Sequence, residues 1–176
     1  MGLDITAYGH LYRIDRTPQN YPTIDKLVEL GSLWRPGAAL EWAEKTWPGR
    51  TAGFTADSTL MVDRVYGSSE TFRFRAGSYS GYGHFRDWLA RLAGWESAKA
   101  CWDDPRQAGP FFELVNFADN EGVIGAKTAS KLAEDFHEYE RKALAESDIE
   151  PWYHRSYTNW HIACDIAAQN GAIDFH

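Results

Sequence analysis

The sequence has few of the features that assign a chain to a specialised class. Its two cysteines, Cys101 and Cys164, form no CxxC pair, so their spacing indicates neither a disulfide framework nor a structural zinc site. No stretch approaches 18 apolar residues, and the first residues lack the basic-then-apolar pattern of a secretory signal. We therefore expect a protein of the reducing cytoplasm, without a membrane span.

Basic residues are outnumbered, and motifs that hold cofactors are missing. The chain has 18 Lys and Arg against 25 Asp and Glu, a formal net charge of −7, and no basic run. Proteins that bind the nucleic-acid backbone usually carry a basic stripe, so we expect no direct nucleic-acid binding. The sequence contains no GxGxxG, GK[ST], HExxH or GxSxG motif. We expect no cofactor and no bound metal.

Aromatic residues, in contrast, are abundant. The chain has eight Trp, nine Tyr and nine Phe. A bulky hydrophobic core is the preferred explanation, and an interface or a stacking pocket is the alternative. A length of 176 residues suits a single domain, 1–176. Such a chain buries about 70% of the surface that its unfolded form exposes, which suffices for a stable core.

The hydrophobic pattern predicts strands early and in the middle of the chain and helices mostly late. The predicted strands are 3–15, a hairpin of 60–66 and 70–77, 111–117, and 172–176. The predicted helices with a stripe of apolar residues on one face are 81–93, which Gly94 ends, 126–147 and 152–171. Residues 22–31 suit a short helix or a turn, residues 36–49 are expected to hold one short helix, and 47–59 read as a loop. In the first strand, Leu3, Ile5 and Ala7 alternate with polar residues. This order predicts an α+β fold, with a small, mainly antiparallel sheet packed against three to five helices.

The first candidate site is "AGSYSGYGHFRDWL", residues 76–89. Glycines and serines lead from a strand into a helix N-terminus, where backbone N–H groups can bind an anion. Ser78, Tyr79 and Tyr82 would line the site, and Arg86 would contact a carboxylate or a phosphate. Alternatively, the glycines only provide the backbone freedom that a strand-to-helix connection requires, and we favour this interpretation.

The second candidate site is the acidic turn "FADNEGVIG". Asp119 and Glu121 could bind a hard cation such as Mg²⁺ or Ca²⁺. Asn116, three residues before Asp119, is a further candidate ligand-binding residue. Alternatively, Asp119 accepts backbone N–H bonds within the turn, and Glu121 stabilises the start of the next helix. We favour the capping role.

The histidines are weaker candidates for a functional site. His154, His161 and Asp165 fall on one helix with poor metal geometry, so we expect surface residues. His176 is the last residue of the sequence given and could contact a ligand or a metal, or form a salt bridge with an arginine.

Four stretches resemble a family of uncharacterised bacterial, prophage and phage proteins: "MGLDITAY", "FRAGSYSGYGHFRDWLARLAG", "GPFFELVNFADNEGVIGAKTASKLAEDF" and "NGAIDFH". The resemblance implies a phage or accessory-gene context and the modulation of a host or defence machine. It implies no activity, cofactor or catalytic residue.

These observations predict an accessory protein that acts by binding. Its partner would be an unidentified host or phage protein or other macromolecule, or a small polar ligand. The alternative is a small enzyme that acts on a phosphorylated or nucleotide-like substrate. In that enzyme Asp119 and Glu121 would act as ligands or acid/base groups, and Arg86 would bind the anion. A structural role in a virion is a third possibility.

Overall fold

The computed structural model describes residues 2–15, 23–29, 31, 33, 35, 60–61, 64–117 and 122–176. Within these ranges the chain forms six helices, one sheet of four strands and one of two strands. The α+β class is therefore confirmed. The helix predicted at 36–49 and the loop predicted at 47–59 lie outside the described residues.

The elements follow one another in chain order. The strands are β1 (Gly2–Gly9), β2 (Tyr12–Ile14), β3 (Val65–Gly67), β4 (Glu70–Ser78), β5 (Gly122–Gly125) and β6 (Ala172–Phe175). The helices are α1 (Ile24–Glu29), α2 (Tyr79–Leu92), α3 (Ala98–Trp102), α4 (Phe112–Asn116), α5 (Ala126–Ala145) and α6 (Pro151–Ala168).

The larger sheet has the strand order β4-β1-β6-β5, and all of its neighbouring strands are antiparallel. The C-terminal strand β6 therefore lies in the interior of the sheet, between β1 and β5. The register places Thr6 opposite Arg73 on one side and opposite Asp174 on the other. Residues from three distant parts of the sequence thus form one row across the sheet.

One face of this sheet packs against the long helices. Leu3, Ile5 and Ala7 are fully buried on this face, as their alternation predicts. Trp160 of α6 is also fully buried, and its ring lies 5.2 Å from that of Phe74 in β4. The aromatic residues thus supply much of the core, which agrees with the preferred explanation of their abundance.

The helix predicted at 81–93 is α2. Its stripe of apolar residues is buried, as predicted: Tyr82, Phe85, Trp88, Leu89 and Leu92. The Ser78 side chain caps the helix by accepting a 3.0 Å hydrogen bond from the Gly81 N–H. Gly94 has a positive φ of 100° just beyond the helix, which fits its predicted role as the stop.

Helices α5 and α6 also have the predicted buried stripes. On α5 the stripe includes Leu132 and Phe136, and on α6 it includes Trp160 and Cys164. The Tyr157 hydroxyl donates a hydrogen bond to the Phe136 carbonyl at 2.5 Å, which joins the two helices inside the core.

The prediction of a strand at 111–117 is wrong, because residues 112–116 form the helix α4. Phe111 takes a left-handed conformation with φ of 56°, and its N–H donates to the Asp135 carboxylate at 2.7 Å. A short helix that is buried on nearly every side shows no helical periodicity, so its sequence resembles a buried strand.

The hairpin predicted from 60–66 and 70–77 is also wrong. β3 pairs with β2, whereas β4 pairs with β1. The Ser68 hydroxyl, between β3 and β4, donates to the carbonyl of Gly9 at 2.7 Å. The turn residues around Ser68 therefore mark a break between two sheets rather than the tip of a hairpin.

Candidate functional site

A polar surface occupies the face of the large sheet that points away from the long helices. Asp4, Thr6 and Tyr8 alternate with the core residues of β1, so they lie on this opposite face. The strand register adds two arginines of β4 and two residues at the end of the chain. We call this set the polar strip: Asp4, Thr6, Tyr8, Arg73, Arg75, Asp174 and His176.

The centre of the polar strip is a contact between the two ends of the sequence. The His176 Nε2 atom lies 2.9 Å from the Thr6 Oγ1 atom. The backbone of His176 also exchanges hydrogen bonds of 2.9 and 3.0 Å with the backbone of Asp4. The sequence leaves a ligand, a metal or an arginine open as the partner of His176, and within the structure its side chain contacts a hydroxyl. Thr6 is only 2% exposed, so this contact is largely shielded from solvent.

Tyr8 lies where the polar strip meets a small apolar cluster that contains Tyr66 and Val123. Burial and the nearby Asp174 carboxylate together raise the pKa of Tyr8 to about 12, although Arg73 and a hydrogen bond with Thr6 partly oppose the shift. The Tyr8 hydroxyl therefore stays protonated at neutral pH and can donate a hydrogen bond within the polar strip.

Charge in the polar strip is divided between its two sides. Arg73 and Arg75 come from the strand β4, whereas Asp174 comes from β6. Arg75 lies 3.8 Å from the Asp4 carboxylate and packs over Gly2, where an added Cβ would collide with the guanidinium. The strip thus presents two cationic groups on one side and an acidic group on the other.

Two of the predicted site residues lie at the end of the sheet near Arg75. Ser78 ends β4 opposite Gly2, and Tyr79 begins α2 with 43% of its surface exposed. The Ser78 hydroxyl caps α2 and lies 3.0 Å from the Ser80 hydroxyl. These contacts stabilise the connection from strand to helix. This is the role that the sequence analysis favours over anion binding for residues 76–89.

Three other predicted site residues hold the segment that precedes the acidic turn. The buried Tyr82 hydroxyl donates to the Phe117 carbonyl at 2.8 Å, and Arg86 donates from Nη1 to the Val115 carbonyl at 2.8 Å. The Arg86 Nε atom is buried without a hydrogen-bond partner. Asn116 is 5% exposed, and its side-chain amide lies 3.6 Å from the Cys101 sulfur.

The acidic turn itself, with Asp119 and Glu121, lies outside the described residues. The residues that flank it are close to the C-terminal strand. Phe117 packs on Phe175 with ring centroids 4.3 Å apart, and Gly122 pairs with Phe175 in the sheet. The chain thus enters and leaves the turn beside Phe175, next to His176.

Both cysteines are poorly suited to nucleophilic chemistry. Cys101 and Cys164 are free thiols without solvent exposure. Burial raises the pKa of Cys101 to about 12 and raises the pKa of Cys164 well above its usual value. The thiolate is the nucleophilic form, so both side chains are inert at neutral pH.

A shallow groove runs between α5 and α6. Its volume is about 570 Å³, and it is lined by Ser130, Ala133, Glu134, His137, His161, Asp165, Ala168 and Gln169. His137 is exposed. His161 differs from the prediction, because its ring stacks on Phe136 and is only 19% exposed beside Asp165. His154 is also engaged, through a 3.0 Å contact with the Ala143 carbonyl.

Within the described ranges, no group of three or more His, Cys, Asp or Glu side chains could hold a metal ion. The helices in those ranges include none with the length and hydrophobicity of a membrane span.

His176 is among the candidate residues predicted from the sequence, but the residues of the polar strip around it are not. The available signal was the polar half of the alternation in β1, together with the Asp-Phe-His ending. These residues come together only because β6 pairs with β1, and the sequence pattern does not specify that pairing.

No protein-family model, curated protein or solved structure matches this chain.

Proposed function

We propose that this protein acts by binding and that the polar strip is its contact surface. The partner is a macromolecule or a small polar ligand with an anionic group. The observation that supports this proposal most directly is that six hydrogen-bonding or charged side chains from three strands share one sheet face, with His176 just beyond β6. Polar groups positioned by a rigid sheet are suited to recognition, because little entropy is lost when they bind.

The arginines are suited to initial contact with the partner. Arg73 and Arg75 are exposed, and the Arg75 to Asp4 distance of 3.8 Å is that of a weak surface ion pair. A partner's carboxylate or phosphate would therefore have to displace only this weak ion pair. The resemblance to phage and prophage proteins suggests a host or phage partner, including a component of host defence.

The enzyme alternative has weaker support. The His176 and Thr6 side chains have the spacing of a base and a hydroxyl nucleophile. However, Thr6 is 2% exposed, so a substrate has little access to its hydroxyl. The buried, protonated cysteines offer no substitute. Asp119 and Glu121, the acid/base candidates, rest on sequence alone.

Quantitative affinity capture from the source cell tests the proposal. We would compare the wild-type chain with an Arg73→Gln, Arg75→Gln double variant. The matched control is Arg141→Gln, Arg155→Gln, which removes two exposed arginines from α5 and α6. We expect at least one partner that the wild type and the control retain and the polar-strip variant loses. Identical partners for all three proteins, with equal melting temperatures, would refute the polar strip as the contact surface.

A further inference from the structure

We propose that the polar strip binds a phosphorylated polyol, such as a sugar phosphate or the sugar-phosphate part of a nucleotide. This inference rests on the proposed function and specifies the ligand. It follows from the arrangement of charge across the three strands β4, β1 and β6.

The cationic side of the polar strip fits a phosphate better than a carboxylate. Arg73 and Arg75 alternate on β4 with both side chains on one face, so their Cα atoms are about 6.6 Å apart. Each guanidinium can donate two parallel hydrogen bonds to an oxyanion. A carboxylate has only two oxygens and satisfies one arginine in this way. A phosphate has enough oxygens to be shared by both.

Both guanidinium groups have contacts on the polar strip. Arg75 packs over Gly2, where an added Cβ would collide with it. Arg73 forms a hydrogen bond with the Tyr8 hydroxyl. The Arg75 side chain is 61% exposed, so a ligand oxyanion can reach it.

The acidic side of the polar strip fits hydroxyl groups. Asp174 lies across β1 from Arg73, two strand spacings away, or about 9.6 Å. An ionised carboxylate accepts hydrogen bonds and repels a second anion, so a ligand that consists only of phosphate would not extend to Asp174. A polyol attached to the phosphate would place hydroxyl donors at Asp174, across β1 from the arginines.

The charged side chains of the polar strip balance one another. Asp4 lies between Arg75 and His176 and is already paired with Arg75. The charges of the two arginine and two aspartate side chains cancel, so the strip attracts a ligand with a defined polarity rather than anions in general. Nonspecific binding of inorganic anions should therefore be weak.

Isothermal titration at low ionic strength tests this inference with three probes: ribose 5-phosphate, inorganic phosphate and ribose. We expect ribose 5-phosphate to bind at least about tenfold more tightly than inorganic phosphate, and ribose to bind most weakly. The Arg73→Gln, Arg75→Gln variant should lose about tenfold or more in affinity for ribose 5-phosphate. The Arg141→Gln, Arg155→Gln control should bind like the wild type.

A second variant separates the two sides of the polar strip. Asp174→Asn should reduce the advantage of ribose 5-phosphate over inorganic phosphate without weakening phosphate itself. If the Asp174→Asn variant does not fold, the arginine variant alone tests the inference. Its altered side chains are exposed, so we expect it to fold.

Two results would overturn the inference: equal affinity for ribose 5-phosphate and inorganic phosphate, or a sugar-phosphate affinity that the arginine variant leaves unchanged. If neither phosphate probe binds but the arginine variant still loses its captured partner, this inference fails and the proposed function stands. If neither phosphate probe binds and the arginine variant still captures the partner, both this inference and the proposed function fail.

Discussion

The Nε2 atom of His176 lies 2.9 Å from the Oγ1 atom of Thr6, although 170 positions separate the two residues. The contact exists because β6 pairs with β1 in the interior of the sheet. It links the last residue of the sequence given to a side chain that is 2% exposed. The polar strip and the sheet register therefore depend on each other.

His176→Ala should reduce the free energy of unfolding by about 1 kcal/mol, the net value of a typical hydrogen bond. The imidazole bond to Thr6 is lost, whereas the backbone bonds between residues 176 and 4 remain. A double-mutant cycle with Thr6→Val in urea denaturation measures the coupling. Strictly additive effects would show that the two side chains do not interact.

Trp88→Ala should destabilise the protein by about 3–5 kcal/mol, as large-to-small core substitutions do. Trp88 is 4% exposed, and its indole N–H donates to the Glu146 carboxylate at 2.7 Å. The control is Leu144→Ala, at a side chain that is 56% exposed, which should cost less than about 0.5 kcal/mol. Denaturant melts of both variants provide the comparison, and equal losses would contradict the assigned buried face of α2.

The elements with caps and clear periodicity could be predicted from the sequence. Helix α2 has a serine cap, a regular apolar stripe and a glycine stop, and all three indicate the same boundaries. Helix α4 could not be predicted, because four of its five residues are buried and no polar face reveals its period. The left-handed Phe111 that precedes it depends on Asp135, 24 residues away.

The candidate site was less predictable than the fold. The first candidate residues, Ser78 and Tyr82, follow from a local pattern, and in the structure they make a helix-capping bond and a buried hydrogen bond. The polar strip depends instead on strand order, because Arg73, Thr6 and Asp174 meet only through the pairing of three strands. Local sequence does not encode which distant strands become neighbours.

Tyr82→Phe should destabilise the protein by about 1–3 kcal/mol, because the variant leaves a buried carbonyl without its donor. The Tyr82 hydroxyl donates to the Phe117 carbonyl at 2.8 Å, while its ring stacks on Trp160 at 5.8 Å. The substitution preserves the stacking and removes only the hydrogen bond. Tyr12→Phe, at a residue that is 54% exposed, is the matched control. Urea denaturation should separate the two, and equal stability would assign no role to the Tyr82 hydroxyl.

The protein should lose stability as the pH rises above 9. In the folded state burial raises the pKa of Cys101 from 9.0 to about 12, and that of Tyr8 from 10.0 to about 12. Burial also raises the pKa values of Tyr82 and Cys164. In the unfolded chain these groups release their protons near their ordinary pKa values. The unfolded state therefore binds fewer protons than the folded state in this range.

Each such group lowers the free energy of unfolding by up to about 1.4 kcal/mol per pH unit between its unfolded and folded pKa. The contribution is complete below pH 9 and is lost as the pH approaches 12. Urea melts between pH 7 and pH 11 measure the slope, and Tyr82→Phe should make it shallower above pH 10, because one titrating group is gone. Stability that stayed constant to pH 11 would contradict the burial of these groups, as would rapid reaction of Cys101 with a thiol reagent in the folded protein at pH 8.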